Sequence, residues 1–344
     1  MIDARDALLS WYDSKARTLP WRVHPPRRAN PYHVWLSEVM LQQTTVATVI
    51  PYFLRFIERW PSLEAFAAAG LDELRVAWQG LGYYRRIENL HKGVQYVVAH
   101  HGGALPQDEE SLLKIPGVGL YTAAAIASIA FARPTLPIDG NIKRVMARFS
   151  ALEGVGAELA RQVQKPLHAF IHPTRSGDVA QALMDLGATV CTPKNPECGQ
   201  CPIQASCRGY QNGNATDYPK ALPKKAKPDQ YGVAFVVRDH RGHIWLQKRP
   251  EQGLLSGLIG TPGTPWRPER WSQLDWQEHQ PVHAQWQLLE KPVVHVFTHF
   301  RLFLDIYCAH VSDVLEEAVH PRDFHHHALP TLYKKVLKAA LDAF

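Results

Sequence analysis

The sequence predicts an α+β chain in two parts, an all-α region followed by an α/β C-terminal domain. Three observations predict it. Through residue 216, apolar residues fall in runs of helical length divided by Gly and Pro. From Val294 to Ile306 nearly every even position is apolar, the period of a half-buried strand. Between these regimes, Asp217–Pro228 carries Pro219, Pro223 and Pro228 with Lys220, Lys224, Lys225 and Lys227, and reads as a stiff, solvated linker. The length of 344 residues agrees, since roughly 100–200 residues make a domain.

Taken in order, Pro31 can open a helix, and Val34 to Trp60 is a long apolar stretch without Gly. Pro51 and Pro61 are expected to break it. Shorter helices follow, divided by Gly70, Gly80-Leu81-Gly82 and Gly102-Gly103. Glu109–Ile115 leads into the tight turn Pro116-Gly117-Val118-Gly119 and an Ala-rich helix, Leu120–Ala132. A further helix is expected after Asp139 through Phe149. Past the linker, Gly232–Arg238 and His243–Gln247 read as paired strands around Asp239-His240-Arg241-Gly242. Val294–Ile306 reads as a strand or hairpin, and Leu329–Phe344 as a closing helix. There is no internal repeat.

Hydrophobic residues at 46% and charged residues at 20% are ordinary globular composition. The longest nearly apolar run, Tyr121–Ala132, falls short of the roughly 20 residues a membrane span needs. The start, Met1-Ile2-Asp3-Ala4-Arg5-Asp6, has two acids and no apolar core, so no secretory signal is expected. Membrane, fibrous and disulfide-framework classes are excluded. A net charge of +6 permits an anionic partner without requiring one.

Four of the five cysteines cluster as Cys191, Cys198, Cys201 and Cys207, with spacing C-x6-C-x2-C-x5-C. Clustering points to metal ligation in a reducing compartment. Zinc sites usually show two close pairs, and here only Cys198 and Cys201 are close. A compact loop around an iron–sulfur cubane fits the spacing better, with a structural zinc knuckle as the alternative. Cys308 stands apart in a strand-like run and reads as a small buried hydrophobe.

This cluster, placed after a helix, a Pro-Gly-Val-Gly turn, a helix and an Asp-containing loop, resembles the iron–sulfur helix-hairpin-helix DNA glycosylases. Within them the chain resembles the adenine DNA glycosylase (MutY) family. The matching segments are Leu19-Pro20-Trp21-Arg22, Trp35 through Thr44, Gly80-Leu81-Gly82-Tyr83-Tyr84, Pro116-Gly117-Val118-Gly119, Asp139-Gly140-Asn141 and the four cysteines. The resemblance implies a helical catalytic region over 1–216. Within it a six-helix module spans about 29–136, and an iron–sulfur module joins 1–28 to 137–216. A linker, 217–230, leads to a Nudix-like domain, 231–344. The implied cofactor is a 4Fe-4S cluster on Cys191, Cys198, Cys201 and Cys207.

The chemistry expected is hydrolysis of the N-glycosidic bond of adenine mispaired with 8-oxoguanine or guanine. Glu38 is flanked by Trp35, Leu36, Val39, Met40 and Leu41, and apolar surroundings keep a Glu partly protonated near neutrality. The resemblance makes Glu38 the general acid, Asp139 the carboxylate that stabilises the sugar cation, and Asn141 a support. Asp139 also reads as a helix N-cap. Bifunctional relatives carry a Schiff-base Lys where this chain has Tyr121, so base removal without efficient strand nicking is expected.

Trp21, Arg22 and Gln181 match the adenine pocket, although some members of the family have Glu at the last position. Gln43 and Tyr83 match wedges that fill the gap left by the flipped base. Gly117, Val118 and Gly119 would let a backbone phosphate approach the following helix N-terminus. Phe297-Thr298-His299 matches the lesion-contacting turn, where Ser is more usual than Thr298. The C-terminal domain lacks the Glu-rich helix of a Nudix hydrolase, so no pyrophosphatase activity is expected. His325-His326-His327 reads as an exposed loop.

The expected partner is double-stranded DNA with A:8-oxoguanine or A:G mispairs. No membrane contact is expected, the chain is expected to be a monomer, and its expected location is the cytoplasm, at the nucleoid if bacterial. The alternatives are a thymine or uracil mismatch glycosylase of the same superfamily, a non-enzymatic iron–sulfur redox or DNA-binding protein, and a lesion binder without activity.

Overall fold

The computed structural model describes residues 3–23, 28–221 and 226–344. Met1, Ile2 and the linker residues Pro223, Lys224 and Lys225 lie outside them. The chain forms two compact units, Met1–Ala69 with Arg85–Pro223, and Gly70–Tyr84 with Lys224–Phe344.

The first unit is helical. Its helices are α1 (Ala4–Lys15), α2 (Pro31–Leu41), α3 (Val46–Arg59) and α4 (Leu63–Ala68). α5 (Leu71–Ala77) lies in the short segment that joins the second unit. The first unit resumes with α6 (Arg85–His101), α7 (Glu109–Leu112), α8 (Leu120–Phe131), α9 (Gly140–Ser150), α10 (Gly156–His168), α11 (Ser176–Thr189) and α12 (Arg208–Gln211). Asn30 caps α2 by accepting from the Tyr32 and His33 amides, and Pro31 takes the first helical position, where its missing N–H costs nothing.

Pro51 does not break the apolar stretch. It lies inside α3, and the chain breaks instead at Gln42–Thr45, where Gln43 takes a φ of 61° and Thr45 caps the new helix. α3 tolerates the lost hydrogen bond because Val49, Phe53 and Phe56 hold one face in the core.

One core joins α1 to α9, α10 and α11 through Leu8, Leu9, Ile142, Val145, Met146, Val163, Leu183 and Leu186. α2 packs on α8. α9 comes close to α11 at Gly187, where a Cβ would lie 2.6 Å from the Asn141 Cβ. These two helix pairs bring the later site residues together.

The second unit is built on a sheet. Its strands are β1 (Asp229–Asp239), β2 (Ile244–Trp245), β3 (Gln247–Lys248), β4 (Ile259–Gly260), β5 (Gln287–Leu288), β6 (Val293–Val296), β7 (Arg301–Val311) and β8 (Ala318–Val319). The main order is β5-β7-β1-β2-β8, with β6 also against β7, and β3 pairs β4 apart. β1 and β7 run parallel, Val236 opposite Cys308. One face meets α14 (Thr331–Leu341) through Leu302, Leu304, Ile306, Leu332, Val336 and Leu337. The other is covered by Trp276, on α13 (Gln273–Gln277), with Trp271 and Trp286. A parallel pair buried on both faces reads as a continuous apolar run, as Val233–Val237 does.

The segment Val294–Ile306 is a hairpin, and its alternation changes phase. Leu302, Leu304 and Ile306 are buried, whereas Val294 and Val296 are 42% and 58% exposed. In this register Val293 faces Leu304 and His295 faces Leu302, so odd positions of β6 share the face of even positions of β7. Cys308 is buried, as a small hydrophobe should be.

Candidate active site

Glu38 sits in α2 among the buried Trp35, Leu36, Val39 and Met40, with 5% of its surface exposed. Burial pushes its carboxyl up to about 7. The Tyr121 hydrogen bond pulls the other way, Asp139 pushes further up, and the Arg22 charge pulls down. Tyr121, second in α8, donates its phenol proton to Glu38 Oε2. Burial and the Glu38 charge push that phenol far above its ordinary range, so it remains a donor.

Asp139 caps α9. Its Oδ1 accepts from the Ile142 amide at 2.6 Å and its Oδ2 from Asn141 Nδ2 at 3.0 Å. Burial raises this carboxyl, and these bonds with the Arg144 charge hold the rise back. Arg144 Nη2 in turn donates to Asn141 Oδ1 at 2.8 Å and to the Gly187 carbonyl at 2.7 Å.

Both carboxyl groups line one cavity of about 500 Å³. Tyr121, Asn141, Trp21, Arg22, Gln181 and Gln43 line it too. Eight residues expected from five separate segments therefore line one cavity. Gln43 is exposed, and the Gln181 amide is tied to the Gly177 carbonyl at 3.2 Å.

Sequence reasoning missed what holds Arg22. Asp185, wholly buried in α11, accepts from Arg22 Nη1 at 2.7 Å and Nη2 at 2.8 Å. Arg17 adds its Nε at 2.7 Å and its amide at 3.0 Å. Burial works to raise Asp185, but Arg22 and Arg17 hold it below the usual carboxylate range. The signal was a lone acid in the apolar run Ala182–Gly187, since a buried charge requires a partner.

At the hairpin, Gly117 takes a φ of 80°, and a Cβ there would meet Asn89 Cβ at 2.7 Å. Gly119 opens α8 with no side-chain cap and nothing within 4 Å of an added Cβ. Leu120, beside it, is 76% exposed, and Val118 is buried. The first amides of α8 are thus open to an anion.

The second unit holds the remaining site residues. Tyr83, 54% exposed with a φ of 46°, shares a hydrogen bond of 3.0 Å with Thr298 Oγ1. Phe297 packs on Trp266 and Phe300, with centroids 5.5 and 4.8 Å away. Thr298 and His299 are exposed at the tip of the β6–β7 hairpin. His325 and His326 are exposed and His327 is half-buried, in a 3-10 turn.

The four cysteines line a common small void with Arg148, Val190, Pro196, Gln204, Tyr210 and Ala215, and among the described residues no carboxylate or imidazole shares that wall. Four soft donors and nothing harder suit an iron–sulfur cluster. Burial pushes the Cys201 thiol up to about 12 and also raises Cys198 and Cys207, so a cluster must displace their protons. Arg148, buried in α9, ties the loop down. It donates to the carbonyls of Thr192 at 2.6 Å, Pro193 at 2.8 Å and Tyr218 at 2.9 Å, and reaches Cys191 Sγ at 3.4 Å. Arg144 Nε donates to the Cys191 carbonyl at 2.9 Å. One helix therefore has Asp139 at its cap and the cysteine loop along its length.

Residues 36–171 match the family of HhH-GPD superfamily base excision DNA repair proteins. Residues 191–207 match the iron-sulfur binding domain of endonuclease III, and residues 233–339 match the NUDIX domain. The adenine DNA glycosylase of Homo sapiens is 36% identical over 97% of this chain and 73% of its own length. That of Mus musculus is 33% identical over 98% of this chain and 78% of its own. Among solved structures, a thermostable thymine-DNA glycosylase is similar over 60% of this chain and 95% of its own, with 25% identity and a TM-score of 0.53. A non-covalent endonuclease III–DNA complex is similar over 62% and 99%, with 25% identity and a TM-score of 0.51. The cofactor that this cysteine loop carries is a 4Fe-4S cluster.

Proposed function

The chain belongs to the adenine DNA glycosylase family, and from that premise we propose that it hydrolyses the N-glycosidic bond of adenine mispaired with 8-oxoguanine or guanine in duplex DNA. The observation that carries the reading is the convergence of Glu38 and Asp139 on one cavity, with the Tyr121 phenol on Glu38.

Glu38 is poised between its two protonation states near neutrality. Protonated, it gives its proton to a ring nitrogen of the extruded adenine as the glycosidic bond stretches. The departing base then takes the bonding electrons as a neutral purine. Asp139, held at the helix cap, faces the positive charge that develops on the sugar. The Glu38 carboxylate next draws a proton from the attacking water, which restores the acid. Tyr121 orients Glu38, and Asn141 fixes Asp139. The cluster organises its loop and supplies no chemistry to base removal.

Trp21, Arg22 and Gln181 line the pocket that receives the base, and Gln43 and Tyr83 act as wedges. Gly117 to Gly119 seat a phosphate of the DNA backbone. Phe297, Thr298 and His299 meet the lesion opposite adenine. The Thr298 hydroxyl keeps the hydrogen-bonding capacity of the more usual Ser. A phenol cannot form an imine, so Tyr121 leaves the strand intact. The C-terminal domain reads the lesion and hydrolyses no pyrophosphate. The chain acts as a monomer in the compartment that holds the DNA.

The test is a single-turnover assay on duplexes with adenine opposite 8-oxoguanine, guanine, cytosine and thymine. Release is expected with the first two. No release opposite 8-oxoguanine overturns the proposal.

A further inference from the structure

The turn that ends α2 is held by a residue more than forty positions along the chain. Arg86, in the first turn of α6, donates from Nη1 to the carbonyls of Val39 at 2.8 Å, Met40 at 3.0 Å and Gln42 at 2.5 Å. Its Nη2 reaches Thr44 Oγ1 at 3.4 Å. The last carbonyls of a helix lack intrahelical partners and sit at the negative end of its dipole. A planar guanidinium can serve several of them at once, and an ammonium on a flexible stem holds them less well.

The next residue is strained. Gln43 has a φ of 61°, in the left-handed region, which is unfavourable for a residue with a Cβ. Glycine would take this backbone without strain but would bring no side chain. The sequence keeps an exposed glutamine on the rim of the cavity, and the surrounding contacts must offset the cost. Arg86 grips both sides of that residue, at the Gln42 carbonyl and the Thr44 hydroxyl.

We propose that Arg86 is a positioning residue for base extrusion, one that locks the Gln42–Thr44 turn so that Gln43 enters the duplex already in shape. The assignment rests on Gln43 acting as the wedge. By the same contacts Arg86 closes the end of the helix that carries Glu38. A wedge that is ordered beforehand spends no binding energy on its own ordering while the base is being unstacked. Loss of this grip should therefore slow extrusion more than it weakens DNA binding.

The experiment uses the full-length, cluster-loaded protein with Arg86→Lys, which keeps the charge but not the fork, and Arg86→Gln, which loses both. Extrusion is read in a Glu38→Gln background, which blocks excision. The probe is a duplex with 2-aminopurine in place of the target adenine opposite 8-oxoguanine, whose fluorescence rises on unstacking. Arg86→Lys is expected to cut that rise at least about threefold while DNA affinity stays within about twofold. With Glu38 restored, the single-turnover rate on the A:8-oxoguanine duplex is expected to fall about tenfold, as for one lost hydrogen bond to a charged group. Adenine opposite an abasic site is already unpaired, so its release is expected to fall less than about threefold.

A merely structural arginine would slow both substrates alike, and equal loss on both overturns the proposal. So does an unchanged fluorescence rise in Arg86→Lys. Failure of both variants to fold, judged by Tm and iron content, also overturns it, because Arg86 would then be part of the framework. If the parent chain releases no adenine while the fluorescence still depends on Arg86, the proposed activity fails and the wedge assignment stands.

Discussion

Replacing Glu38 with Gln should abolish adenine release and make the protein more stable, and the size of the gain follows from the site. A carboxyl whose value rises from 4.5 to about 7 on folding holds a proton that the unfolded chain gives up. Stability at this position is therefore intact below about pH 4.5 and is lost as pH rises through about 7. The full loss corresponds to roughly 3 kcal/mol, at about 1.36 kcal/mol for each pH unit. Solvent screening reduces it little, since Glu38 is 5% exposed. Gln has the same shape and never ionises, so Glu38→Gln should gain up to roughly 3 kcal/mol at pH 8 and almost nothing at pH 4. The assay is urea unfolding of the first unit's signal in the cluster-loaded protein at both pH values, paired with single-turnover release. General acid catalysis is worth about 10²–10⁴-fold, and at least that loss is expected. A variant less stable than the parent at pH 8 would refute the buried-acid reasoning. Equal gains at both pH values would refute it too, because the gain would then have nothing to do with a proton.

Three more outcomes follow from the same network. Tyr121→Phe removes a bond that favours the charged form of Glu38, so the alkaline limb of the pH–rate profile should move up; a limb that stays put removes Tyr121 from that role. Asp185→Asn strips Arg22 and Arg17 of their counter-charge, which should cost about 3–5 kcal/mol in unfolding measurements and move the same limb down, opposite to Tyr121→Phe. Arg148→Met takes the donor from the carbonyls of Thr192, Pro193 and Tyr218, at about 1–3 kcal/mol for the buried Tyr218 group, so iron bound per chain should fall; full iron content would show that the loop closes without it.

The parts of the site legible in the sequence are those whose chemistry demands neighbouring residues. The four cysteines that line one void fall within one short loop, and the open start of α8 has glycine just before it. A carboxyl raised by burial needs apolar surroundings, and Glu38 has them among its own helix neighbours. Each leaves a local signature. Pairs made across the fold leave none. Nothing near Asp185 in sequence names Arg22 as its partner, 163 positions away, although the bare acid in an apolar run shows that some partner exists. The phase change in β6 was hidden for a related reason. Alternation gives the period of each strand, but the register of the turn decides which parity faces the core, and Val296 opposite Arg301 sets it. Pro51 misled because its penalty is local, whereas the burial of Phe53 and Phe56 that outweighs it depends on the whole unit. The same division applies to Arg86 and Gln43. Glutamine has a helical propensity that argues for continuing α2, whereas the guanidinium that holds the Gln42 carbonyl and the Thr44 hydroxyl, on either side of the left-handed residue, comes from a distant segment. Strain at a site residue is thus the feature a sequence conceals most completely, because the residue that bears it and the residue that offsets it are fixed in different segments.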